Sequence, residues 1–89
     1  MDINVLRREN DLIDLFCKLA EIPSPSLKEV EVANYVKNLC DENNINCKLD
    51  GYGNVYISIP ATDESKQPIL LSSHMDVIGD DSPVKVYAD

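Results

Sequence analysis

The sequence predicts an α/β fold in which two helices cover a mixed sheet. Three patterns lead there. Apolar residues recur at three- and four-residue spacing over residues 3–21, the same spacing returns after Ser26, and beyond Gly51 the period shortens to two. With 89 residues, 44% of them hydrophobic, the chain suffices for one small domain and leaves no room for a large enzyme core.

In the first helix, Val5, Leu6, Leu12, Ile13, Phe16, Leu19 and Ala20 form the apolar stripe, and Arg7, Arg8, Glu9, Asp11, Asp14 and Lys18 populate the wet side. Pro23 ends this helix, because it lacks an amide donor and biases Ile22 away from helical dihedrals. Pro25 repeats the block, so residues 23–26 read as a short rigid turn. Ser26 and Glu29 have the spacing of a capping box, in which hydroxyl and carboxylate satisfy the free amides of a second helix. The stripe of that helix is Val30, Ala33, Val36, Leu39 and Cys40.

After the polar tract of residues 41–44, the chain turns apolar at Ile45 and Cys47 and then meets Asp50-Gly51-Tyr52-Gly53-Asn54, whose turn formers predict a hairpin. Residues 54–59 alternate, with Val55, Ile57 and Ile59 on one face, as in a half-buried strand. Residues 60–67 are polar and read as an exposed loop. Ile69, Leu70 and Leu71 then open an apolar run that ends in Ser72 and Ser73, the pattern of a strand buried on both faces. Residues 84–88 fit one more short strand.

Sixteen acidic residues against eight basic ones give a net charge of −8, which repels phosphate backbones and anionic lipid. Nucleic acid and membrane surfaces are therefore not expected partners. No apolar stretch approaches the length of a membrane span, and the acidic N-terminal residues Asp2, Glu9 and Asp11 interrupt any secretory core. Cys17, Cys40 and Cys47 are odd in number and lack the spacing of a thiolate zinc site, so a reduced, cytoplasmic protein is expected. Cys17 and Cys40 sit on apolar stripes as small core residues; Cys47, beside Lys48, is expected to be more exposed.

The segment with a chemical signature is Ser72-Ser73-His74-Met75-Asp76-Val77. In extended chain, His74 and Asp76 face the same side. A metal-binding imidazole needs an acceptor on its second nitrogen to fix the tautomer, and a carboxylate two residues away is suited to that task. The same two residues also fit a satisfied, partly buried histidine at a strand end beside a turn-capping aspartate, and spacing alone leaves both readings open. Glu29 and Glu31 are accounted for by capping and solvation, and the adjacent acids Asp80 and Asp81 by an exposed turn.

The ordered series Leu19-Ala20-Glu21-Ile22-Pro23-Ser24-Pro25-Ser26, a capped helix, Gly53-Asn54-Val55 and Ile69-Leu70-Leu71-Ser72-Ser73-His74-Met75-Asp76 resembles the start of the co-catalytic zinc exopeptidases. That family includes tripeptide aminopeptidases of the peptidase T type, carboxypeptidase G, and the acetylornithine and succinyl-diaminopimelate deacylases. After Val77 the chain departs from the common pattern, with Ile78-Gly79-Asp80-Asp81 replacing a frequent proline-glycine.

The resemblance implies that residues 1–89 are a single partial domain, the opening part of a three-layer catalytic domain. It implies that His74 is a ligand to one of two zinc ions and that Asp76 is the active-site carboxylate orienting it. The expected activity of the parent protein is that of a zinc-dependent aminopeptidase hydrolysing short peptides by metal-activated water, and the methionine in His-Met-Asp points to the tripeptidase branch. A deacylase or carboxypeptidase of the same family is the alternative. The family's remaining metal ligands match no position here, so the 89-residue chain is expected to bind zinc negligibly and to be inactive alone. A stand-alone interaction module is the reading from another class: exposed strand edges would let such a chain self-associate.

Overall fold

The computed structural model describes residues 2–80, 82 and 84–88. The element order is α1 (Ile3–Glu9), α2 (Asp11–Glu21), α3 (Val30–Glu42), β1 (Asn46–Leu49) and β2 (Val55–Ser58). The expected α/β class is present, but the sheet is a two-stranded antiparallel hairpin instead of a mixed sheet; α3 packs on it, and α1 folds against α2.

The first apolar stripe is carried by two helices instead of one. Asn10 takes an extended conformation (φ −142°, ψ 111°), and its side chain accepts from the amides of Leu12, at 3.0 Å, and Ile13, at 3.2 Å. An asparagine that caps in this way competes with helix continuation, which a stripe analysis does not register. Arg7 ties the two helices together across the break, with Nε 2.8 Å from Asp14 Oδ1 and Nη1 on Glu21. The α2 helix ends at Ile22, which is extended ahead of Pro23.

At its far end, α3 closes with two backbone bonds of the Schellman type, from Ile45 N to Cys40 O (2.9 Å) and from Asn44 N to Asp41 O (3.3 Å). Asn44 supplies the left-handed residue this requires, at φ 57°. The hairpin follows, pairing Cys47 with Ile57 and Leu49 with Val55 in antiparallel register. Its loop is organised by Asp50, whose carboxylate accepts from the amides of Tyr52 and Asn54, from Asn54 Nδ2 and from the Tyr56 hydroxyl. Together these bonds, led by those from Asn54, pull the Asp50 carboxyl down to about 2.

The buried residues are Cys17 of α2, Val32, Ala33 and Cys40 of α3, Cys47 of β1, and Ser24 and Pro25 of the turn after α2. Cys47 is thus a core residue, contrary to expectation, because β1 lays it against Cys40 beneath α3. The alternation in β2 buries less than expected, since Ile57 is half-exposed and Ile59 more so. Residues 69–73 form no strand, and Ile69, Leu70 and Leu71 are 86–89% exposed. A run of that composition becomes a strand only where neighbours supply hydrogen bonds and cover both faces. Among the described residues, only β1 and β2 form a sheet. Residues 84–88 likewise show no strand, and Asp81, expected in an exposed turn, lies outside the described residues.

Candidate functional site

Two segments fifty residues apart meet at the site. The amide of Val77 donates to the carbonyl of Ser24 at 2.8 Å, and Pro25 and Val77 form an isolated parallel bridge. Pro23 and Pro25 hold the turn in a narrow range of φ, which makes it a stiff abutment for the segment carrying His74 and Asp76. The turn closes with a bond from Lys28 N to Pro25 O at 2.9 Å and places Leu27 at φ 70°, a conformation that costs a branched side chain energy.

The structure brings His74 and Asp76 together. His74 Nδ1 lies 2.9 Å from Asp76 Oδ1 and 3.0 Å from the Asp76 backbone carbonyl. Both are acceptors when the carboxyl is ionised, so the proton of the neutral imidazole belongs on Nδ1 and the lone pair on Nε2. The His74 side chain is 83% exposed, so this nitrogen faces outward; a partly buried, satisfied histidine does not describe it.

The other oxygen of Asp76 accepts from Ser26 Oγ at 2.5 Å. This bond, with a smaller contribution from His74, holds the Asp76 carboxyl below the usual carboxylate range. Ser26 therefore is not the cap of the second helix. The residue before α3 is Glu29, which makes no side-chain cap; its carboxylate instead accepts from the Leu27 amide at 3.0 Å. The contact of Ser26 with Asp76 is not visible in the sequence pattern, since Ser-x-x-Glu fits a capping box equally well. The one available signal was that Ser26 stands in a turn braced by two prolines.

The outward Nε2 of His74 fits one ligand position. The sequence holds a single histidine, and among the described residues no group of three or more His, Cys, Asp or Glu side chains is placed to hold a metal ion. The cysteines are free and buried, and burial pushes the Cys40 thiol up, which suits packing better than nucleophilic attack. Asp80 accepts from the amide of Ser82 at 2.8 Å, as in an exposed turn.

Over 69 residues, 75% of its length, the chain is 35% identical to the cytosol non-specific dipeptidase of Escherichia coli (strain K12). Over 82 residues, 91% of its length, it is 32% identical to a protein of Pyrococcus abyssi named as a LysW-lysine/LysW-ornithine hydrolase. The matched regions span 14% and 23% of those two proteins. No protein-family model matches the chain, and no solved structure matches it significantly. Among the described residues, no helix is long and apolar enough to cross a membrane.

Proposed function

We propose that the protein carrying this segment is a metal-dependent hydrolase of short peptides, in which His74 supplies one zinc-ligand position through Nε2 and Asp76 is the carboxylate that orients it. The observation that carries this reading is the His74–Asp76 pair itself, with Nδ1 engaged at 2.9 Å and Nε2 exposed, in a chain similar to a dipeptidase. Asp76 does two things for the imidazole: it fixes the tautomer and it fixes the orientation of the ring. When bound, zinc supplies Lewis acidity toward a carbonyl and a water of lowered pKa.

A catalytic zinc takes about three protein ligands. His74 alone falls short of that number, so the 89-residue chain by itself is expected to hold no stable zinc and to hydrolyse nothing. Residues 1–89 then act as one partial domain, the opening part of a larger catalytic one that holds two zinc ions. The short matched share of both relatives supports this. The net charge of −8 argues against nucleic acid and anionic membranes as partners, and three free thiols suit a cytoplasmic setting. Self-association of the isolated chain through its open hairpin edges and the exposed Ile69, Leu70 and Leu71 is the accompanying expectation, read by sedimentation as a mass that rises with concentration.

The finer reading is a tripeptidase. A second reading, favoured by the similarity to the Pyrococcus hydrolase, replaces the peptide with an N-acylated amino acid. The test is a substrate panel of dipeptides, tripeptides and N-acyl amino acids with the protein expressed from its complete reading frame and supplied with zinc. Turnover of dipeptides or tripeptides supports the proposal and ranks them. Turnover of N-acyl amino acids alone favours the second reading, and turnover of none overturns both.

A further inference from the structure

The carboxylate of Asp76 is held from two sides, and only one of them is the histidine. The torsion that turns a carboxylate about its last bond is broad and nearly two-fold, and the Asp76 side chain is 34% exposed. A single contact to a residue two positions away would leave the carboxylate free to turn toward solvent. Ser26 Oγ closes the other side at 2.5 Å. Ser26 is in turn fixed by the backbone: Val77 N to Ser24 O at 2.8 Å, the Pro25–Val77 bridge, and the two prolines of the turn.

We infer that Ser26 is a positioning residue for His74, acting through Asp76, so that the turn after α2 sets which imidazole nitrogen faces outward. The donors and acceptors balance along the chain of contacts. The Ser26 hydroxyl donates its one proton to Asp76 Oδ2, Asp76 Oδ1 accepts the proton of Nδ1, and Nε2 keeps its lone pair. The pull of the Ser26 hydroxyl on the Asp76 carboxyl is in keeping with this, since it is the largest influence holding that group below its ordinary range. The use of an outward lone pair on Nε2 rests on the hydrolase reading; the relay of contacts does not.

The test is the imidazole tautomer, read on the metal-free 89-residue chain with nitrogen-15 histidine. The sequence has one histidine, so the signal is unambiguous. At pH about 9, above the range in which free imidazole titrates, long-range proton–nitrogen correlations distinguish Nδ1–H from Nε2–H. The wild type is expected to populate mainly Nδ1–H. Ser26→Ala is expected to move the ratio toward Nε2–H by about fivefold, the effect of one hydrogen bond of ordinary strength. Ser26→Thr, which keeps the hydroxyl, is expected to restore the wild-type ratio.

Protection of the Val77 amide reports the turn independently, because its bond to Ser24 does not use the Ser26 side chain. An unchanged ratio in Ser26→Ala with that amide still protected overturns the inference, as does a wild type that populates mainly Nε2–H. If Ser26→Ala loses the protection, Ser26→Cys, a weaker donor of similar size, decides. An intermediate ratio supports the relay and a wild-type ratio overturns it. No metal or substrate enters the measurement, so its failure leaves the hydrolase reading standing, and an inactive complete protein leaves the relay standing.

Discussion

Replacing Asn10 with alanine gives opposite results for one helix and for two. In the structure, Asn10 is extended and its side chain satisfies the amides of both Leu12 and Ile13. Removing such a cap costs about 1 kcal/mol, within a range of about 0.5–2. Were residues 3–21 one continuous helix, position 10 would lie in its interior, and alanine would stabilise it by up to about 0.7 kcal/mol. The two cases differ in sign, not only in size. A chain this small unfolds in urea with a slope of about 1 kcal/mol per molar. The cap therefore predicts that the midpoint, followed by helical circular dichroism, falls by about 1 M. A midpoint that stays or rises refutes the broken-helix account, and with it the role of Arg7 as a tie between α1 and α2.

Three further outcomes follow from named contacts. The Asp50 carboxyl lies at about 2 in the folded chain against an ordinary 3.8, so its contribution to the hairpin loop is complete above about pH 5 and lost as pH falls from about 4 toward 2. Amide exchange at Tyr52 and Asn54 measures this loss, and Asp50→Ala should abolish the acid step; an identical acid profile in the variant would count against it. Cys17, Cys40 and Cys47 are all buried, so a thiol reagent should modify them slowly in the native chain and all three rapidly in denaturant. Rapid native modification of Cys47 would show that α3 does not cover it. Asp76→Ala in the complete protein should lower metal affinity or activity by about 10- to 100-fold, the usual effect of losing a ligand's orienting partner, and an unaltered zinc affinity and rate would remove Asp76 from that role.

Local rules served well wherever the chain's own neighbours decide the structure. The stop at Ile22 follows from Pro23, and the hairpin turn follows from Asp50, Gly51 and Gly53; both are where the spacing places them. The side-by-side geometry of His74 and Asp76 was also legible, because the period of extended chain puts residues two apart on one side. Side chains with several competing partners escaped detection, whether the partner that wins is near, as for Asn10, or fifty residues away, as for Ser26. Asn10 and Ser26 are small polar residues whose side chains can satisfy several competing backbone or side-chain groups, and only the folded chain shows which one wins. The apolar run at Ile69, Leu70 and Leu71 reads as a buried strand because its composition describes a packed neighbourhood, and composition does not say where those neighbours come from.

The role proposed for His74 is that of a metal ligand in a peptide hydrolase. The most direct measurement strips the complete protein with a chelator, restores zinc, and follows hydrolysis of a dipeptide by wild type and His74→Ala. Chelation is expected to abolish wild-type turnover and zinc to restore it, while His74→Ala stays at least about 100-fold slower at any zinc concentration, since a ligand matters at least as much as its orienting partner. A His74→Ala protein that regains wild-type turnover with zinc would contradict that role.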